Sequence, residues 1–405
     1  MKLWLRRLPL IAAGLAILWS VSSIVGQAPA RGAQTPAAPA RGPAAPTAAA
    51  TSTTKAGTYF KNVTTSTLKE LSVDDFIASM GVISAALGYD CADCHPGAGT
   101  DARDFVIDTI PQKKTARRMI EMVASINQTN FAGVQSVTCW TCHRQQERPA
   151  TSIALDHLYE APNVEDPDIA FPGVGKQTAT EILDKYIAAV GGAPRLAGLT
   201  SFVATGVSDG YGGFGGDGEF TIYAKAPNQR TTTISFKDHP ERGDSIWTID
   251  GTKGWVKTPR GFLPQYQLVG QELTGARLEA MLAFPGQIKT VLTNWRVGLT
   301  RVIDNKDYNI VQGNGPMGPY KDELATLFFD QTTGLLRRLI RLGPSPVGRV
   351  PVQVDYLDYR DVGGIKFPFE IKFSWLDGKY SAKLKEIKTN VAIDASKFGE
   401  AALKK

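Results

Sequence analysis

The chain has 405 residues, 43% apolar and 21% charged, which is ordinary for globular protein and long enough for two or three domains. Its formal charge of +6 is confined to one end: residues 1–56 carry six bases and no acid, residues 57–150 nine bases against ten acids, and residues 151–405 thirty against 29. A nucleic-acid partner would need a basic patch on the folded part, and the charge distribution gives none.

Lys2, Arg6 and Arg7 precede an apolar run over residues 8–25. This is the pattern of an export signal, at a length between a signal peptide and a short membrane anchor. Residues 1–26 are therefore expected to be a signal peptide or an N-terminal anchor, and the body to be periplasmic or otherwise extracytoplasmic. No cysteine follows the run to carry a lipid. Residues 27–56 are rich in Ala, Pro, Thr and Gly and read as a disordered tether.

Residues 57–150 read as helical. Ser72 can cap a helix, with Asp74 and Asp75 at its positive end and Gly88 as its stop. Phe76, Met80, Ile83 and Leu87 recur at helical spacing in between. A second helix is expected from Pro111, with Met119, Met122, Val123 and Ile126 as its apolar stripe. Each helix leads into the same pattern: Cys91-Ala92-Asp93-Cys94-His95 and Cys139-Trp140-Thr141-Cys142-His143. These two motifs use all four cysteines. C-x-x-C-H is the attachment pattern of c-type haem, with two thioethers to the vinyl groups and the histidine on the iron. Two C-x-x-C pairs also fit a four-cysteine zinc site, but a histidine directly after each pair in an exported chain favours haem.

The sixth ligand decides the chemistry. Methionine opposite histidine closes the iron and suits electron transfer, whereas an open position permits peroxidase or gas-binding chemistry. Met80 precedes the first motif, and Met119 and Met122 precede the second; each reads equally as a core methionine beside a large apolar cofactor. His157 is a further potential ligand, Trp140 suits packing on a haem edge or in a core, and Arg117 and Arg118 suit propionates or a solvated helix face.

Residues 59–149 resemble the tetrahaem cytochrome subunit of purple-bacterial photosynthetic reaction centres. The resemblance rests on Phe60-Lys61-Asn62-Val63, Asp75-Phe76 with Met80, and the first C-x-x-C-H. It continues through Ala116-Arg117-Arg118-Met119-Ile120-Glu121-Met122, Ile126-Asn127 and Val137-Thr138-Cys139-Trp140-Thr141-Cys142-His143-Arg144. It implies Met80 with His95 on the first iron, Met119 with His143 on the second, and Met122 in core packing. This chain departs from the family in having two motifs instead of four. It also lacks a histidine over 128–138, where the family carries a ligand for a distant haem, and lacks the lipid-bearing cysteine.

Pro149, Pro162, Pro167 and Pro172 mark residues 151–175 as a linker. The unit at 176–405 opens with a helix over 178–190 that Gly191-Gly192 stops. Strands are expected at 219–226, 230–236, 323–330, 335–341, 352–359 and 369–375, with Asp377-Gly378 as a hairpin turn and a helical insertion over 271–295. Gly210, Gly212 and Gly215 form a G-x-G-x-x-G string, but no helix is expected after it, so it reads as a hairpin loop. The unit weakly resembles lipoprotein-carrier-like half-barrels.

The expected fold is multidomain: a small all-α dihaem cytochrome c domain at 57–150, then an α+β domain at 176–405 with a curved antiparallel sheet packed on helices. The expected function is a dihaem c-type cytochrome carrying single electrons, an electron carrier and not an enzyme. Cys91, Cys94, Cys139 and Cys142 would hold two covalent haems, and His95, Met80, His143 and Met119 would ligate their iron. Its partners would be a redox donor and acceptor, with a membrane complex or membrane contact through the N-terminus. The alternatives are a dihaem peroxidase-like enzyme with one open iron, and a lipid- or partner-binding protein with a haem redox sensor.

Overall fold

The computed structural model describes residues 54–404 except 101–102, 150–176, 211–217, 237–239, 259–262, 315–323 and 377. The leader, the tether up to residue 53, the whole linker, His157, His239 and Asp377 lie outside the described residues.

The described part of residues 54–149 is built from α1 (Ala56–Tyr59), α2 (Val73–Leu87), α3 (Cys91–Cys94), α4 (Pro111–Asn130) and α5 (Cys139–His143). Ser72 caps α2 by accepting from the Asp75 N–H at 3.2 Å, and Gly88 ends it in the left-handed region at φ 68°. Pro111 sits in the first turn of α4, as expected. The buried stripe of α2 is Val73, Phe76, Ser79, Val82 and Ala86, while Met80 is half-buried. The stripe is displaced from the expected one because α2 is packed from two sides. Phe76, Val82 and Ile120 form one apolar cluster with Ala56 and Leu68, and residues of the sheet enter that same cluster.

Residues 178–404 begin with α6 (Ala179–Ala189), capped by a reciprocal Thr178–Glu181 box and followed by Gly191 and Gly192 at positive φ, then α7 (Ala193–Ala197). The strands are β1 (Ser201–Asp209), β2 (Gly218–Lys225), β3 (Gln229–Ser235), β4 (Ser245–Ile249), β5 (Gly254–Lys257), β6 (Gln265–Gln267), β7 (Thr293–Val297) and β8 (Arg301–Ile303). They continue with β9 (Lys306–Asn314), β10 (Leu324–Asp330), β11 (Leu336–Ser345), β12 (Gly348–Val362), β13 (Ile365–Trp375) and β14 (Gly378–Thr389). The expected insertion is α8 (Gly270–Leu282) and α9 (Ile288–Val291), but Trp295 belongs to β7.

The strands form one antiparallel sheet in the order β6-β5-β4-β3-β2-β1-β14-β13-β12-β11-β10-β9-β7, with β8 beside β9. Ser208 pairs with Gly218, so the glycine string joins two antiparallel strands and no dinucleotide-type helix follows it. Helix α8 touches β3 and β4 and also β11, which stand six places apart in the sheet. On a flat sheet that separation would be about 29 Å, far more than a helix diameter of ~10 Å, so the sheet curls around its helices. The concave side is filled with its own rings. Tyr186 lies 5.3 Å from Phe329, Phe202 lies 5.4 Å from Phe367, and Phe373 stacks on Tyr380 at 4.7 Å. Asp358, at φ 50°, falls at an unpaired step of the β12–β13 ladder opposite Phe369, and the register resumes unchanged with Tyr359 opposite Pro368. Among the described residues no helix is long and apolar enough to cross a membrane.

The sheet and the helical segment meet along α2. Gln271 at the start of α8 donates to Asp75 Oδ1 at 3.1 Å, and a Cβ on Gly81 would lie 3.1 Å from that of Leu376. Asp74 is caught in this junction: Oδ2 is buried without a partner, and burial, with Asp75 and Glu272 nearby, pushes its carboxyl up to about 7. Between about pH 4 and 7 the folded chain then holds a proton that the unfolded chain releases, so stability falls as pH rises through that window and levels off above it. Asp74→Asn is expected to remove this slope and raise stability at pH 8 by roughly 1–3 kcal/mol, with no gain below pH 4. Urea unfolding of both proteins across pH 4–8 checks this; parallel pH profiles would contradict it.

Candidate haem site

Both C-x-x-C-H motifs fold the same way, as a single capped turn. In α3 the Asp90 carboxylate accepts from the Ala92 and Asp93 N–H at 2.7 and 3.2 Å, and Asp93 Oδ2 accepts from the Asp90 N–H at 2.8 Å. In α5 Thr138 and Thr141 make the same reciprocal pair, at 3.3 and 3.0 Å. One turn puts the cysteines at i and i+3 on one face, as attachment to two vinyl groups of one macrocycle requires. The capping residues went unread in the sequence. Their signal is that in each motif the residue before the first cysteine recurs just before the second: Asp-Cys-Ala-Asp-Cys and Thr-Cys-Trp-Thr-Cys.

None of the four cysteines is in a disulfide; Cys91 and Cys142 are exposed, and Cys94 and Cys139 half-buried. Burial pushes the Cys139 thiol up to about 11 and raises that of Cys94. Among the described residues no three His, Cys, Asp or Glu side chains are grouped closely enough to hold a metal ion.

The histidines differ in their support. His143 Nδ1 lies 3.0 Å from the Gln146 carbonyl, an arrangement in which Nδ1–H donates and Nε2 keeps a lone pair free to take a metal. The His95 ring lies 5.1 Å from that of Phe105; its Nδ1 is buried without a partner, and burial, then the nearby Lys113 charge, lower its pKa. A neutral imidazole is the form a metal ligand needs. Lys113 is itself buried, donating to the Phe105 and Ile107 carbonyls at 3.1 and 2.7 Å. Arg117 pairs with Asp108 at 2.7 Å and donates to the Asn62 carbonyl at 3.1 Å, while Arg118 is exposed. Together these hold the loop after the first motif against α4.

Helix α4 carries two stripes. Lys113, Ile120, Val123 and Asn127 face the core. Met119, Met122 and Ile126 lie about 100° around the helix, and the two methionines are 39% and 44% exposed. The expected single stripe thus merged two faces and omitted Ile120, and Met122 is not in the polypeptide core. Trp140, also 44% exposed, is not core either. Of eight exposed large apolar side chains among the described residues, six lie between Val106 and Trp140, around the motifs. Such a surface suits a large apolar cofactor better than water. Met80 and Cys139 pack on the same apolar cluster, because α2 lies against α5.

Asn127 is a site residue to which sequence reasoning gave no role. Its amide donates to the Val137 carbonyl at 2.7 Å and accepts from the Ser136 and Val137 N–H at 3.0 and 2.9 Å, fixing the approach to Cys139. Asn127→Ala should leave the half-buried Val137 N–H and carbonyl without this partner, while the Ser136 N–H keeps the Val134 carbonyl at 2.9 Å, and destabilise the fold by about 1–3 kcal/mol, with Asn127→Asp recovering only the accepting half. Chemical unfolding tests this, and a loss under 0.5 kcal/mol would contradict it.

The family model described as the photosynthetic reaction centre cytochrome C subunit matches residues 25–166. No curated protein matches significantly. Among solved structures, a DUF1329 family protein from Desulfovibrio piger is 11% identical with a TM-score of 0.36, covering 56% of this chain and 98% of its own. A LolA superfamily protein from Nitrosomonas europaea is 13% identical, with a TM-score of 0.36 and coverages of 56% and 99%. A putative outer membrane lipoprotein-sorting protein domain from Vibrio parahaemolyticus is 7% identical, with a TM-score of 0.37 and coverages of 55% and 100%. The stretch that carries both C-x-x-C-H motifs is the stretch similar to the photosynthetic reaction centre cytochrome C subunit family.

Proposed function

We propose that this chain is an extracytoplasmic dihaem c-type cytochrome that carries single electrons between a donor and an acceptor protein. The observation that supports it most is the repeated capped turn, which presents Cys91 and Cys94, and again Cys139 and Cys142, on one helical face with a histidine next in sequence. When bound, haem supplies a one-electron couple whose potential follows its ligands and burial. The chain's own residues then have separable tasks. Cys91, Cys94, Cys139 and Cys142 would anchor the haems, and His95 with Met80 and His143 with Met119 would ligate their iron. The Asp90–Asp93 and Thr138–Thr141 boxes hold the anchors rigid. With these residues on the iron, the haems would serve electron transfer and leave no open position for a substrate. The ring-filled concave side of the sheet supports placing the chemistry in the helical segment. The N-terminal leader accounts for export, where c-type haem is assembled.

Met80→Ala and Met119→Ala test the ligand set. Each is expected to abolish the long-wavelength methionine–iron(III) band of one haem only, turn that haem high-spin and lower its potential, while the other is unchanged. High-spin iron in the unaltered protein would contradict the carrier reading and favour the peroxidase-like one.

A further inference from the structure

The turn between β11 and β12 does not behave as a hairpin tip. Such tips are ordinarily polar and solvated. Here the sequence is Pro344-Ser345-Pro346-Val347-Gly348, and Val347 is 0% exposed, buried with Val350 in the cluster of α2 and α4. The Val347 carbonyl accepts from the Cys139 N–H at 3.0 Å. That N–H is in the first turn of α5, where no intrahelical partner exists. Gln135 donates its side-chain amide to the Ser345 carbonyl. Gly348 lies so close to the helical segment that a Cβ there would meet Val82 Cγ1 at 2.9 Å and Thr138 Cβ at 3.5 Å. The turn is braced from within, Ser345 Oγ donating to the Gly348 carbonyl at 2.7 Å. Three independent contacts therefore land on the five residues 135–139. The first motif is held differently, by Asp90, Asp93 and its short connection to α2.

We infer that the β11–β12 turn is the mount of the second haem-attachment motif, so that the sheet unit fixes the position and solvent exposure of one haem and not the other. This rests on the dihaem reading. Gln135, Val347 and Gly348 are positioning residues, acting through the backbone of Thr138 and Cys139. Loosening the mount admits water beside the second haem, which favours the more highly charged oxidised iron and lowers its potential.

The test uses the full-length exported holoprotein and two substitutions, Gly348→Val and Gln135→Ala, with potentiometric titration followed in the visible spectrum. The unaltered protein should give two one-electron steps. Each variant should keep its haem content and move to lower potential only the step that Met119→Ala also moves. Amide exchange at Cys139 should speed up about 5- to 10-fold, as the loss of one hydrogen bond implies. If both steps stay in place, or both shift together, the mount is overturned while the dihaem reading stands. An unaltered protein without two haem steps overturns that reading and the mount with it. Should Gly348→Val fail to fold, Gln135→Ala, which removes a single half-buried link, decides by the same criteria.

Discussion

The burial of one hairpin tip, Val347, in the helical segment is the constraint on which the rest of the arrangement depends. A valine side chain taken fully out of water contributes about 1.5–3 kcal/mol. Its neighbouring carbonyl also satisfies a helix N-terminal donor that nothing within α5 can satisfy. The same junction carries costs. Asp74 has a buried oxygen without a partner, and the acidic Asp75 and Glu272 stand near it. A protein that tolerates such groups gains something other than stability from the close approach of its two parts.

What the helical segment offers is rigidity around exposed apolar surface. Each cysteine pair sits on one capped turn, a length at which a helix has no stability of its own, so the capping boxes and outside contacts hold its shape. Around these turns the methionine face of α4, Trp140, Phe131 and Val134 stand exposed. In an ordinary helix these would be the residues turned inward. The pattern is that of a polypeptide whose core is completed by something other than amino acids. The sheet shows the opposite economy, its concave side closed by its own aromatic rings.

The punctuation of the fold was legible in the sequence. Ser72, Gly88, Pro111, Thr178 and Gly191 each act at an element end through local backbone chemistry, and each ends or starts the element expected. Six expected strands are present because period-two patterning and turn residues are also local. What eluded the sequence is non-local. The displaced stripe of α2 reflects the sheet packing on a second side, and the two stripes of α4 merge in a linear reading because Met119 and Ile120 are adjacent yet face different surroundings. Trp295 was read into a helix because the apolar run does not change where α9 gives way to β7. The role of Asn127 depends on a chain segment ten residues away, and the role of Val347 on one two hundred residues away. Spacing alone points to the four cysteines and two histidines as candidate haem residues, whereas Met80 and Met119 are singled out only by the family resemblance.

The central claim is that this chain is a dihaem protein, with one haem at each capped turn. Intact mass measurement of the purified exported protein, with Cys91→Ser/Cys94→Ser and Cys139→Ser/Cys142→Ser variants beside it, addresses this most directly. The account predicts a mass excess of two covalent haems in the parent and of one in each variant. An unmodified polypeptide mass in the parent, or loss of both haems in only one of the variants, would contradict it.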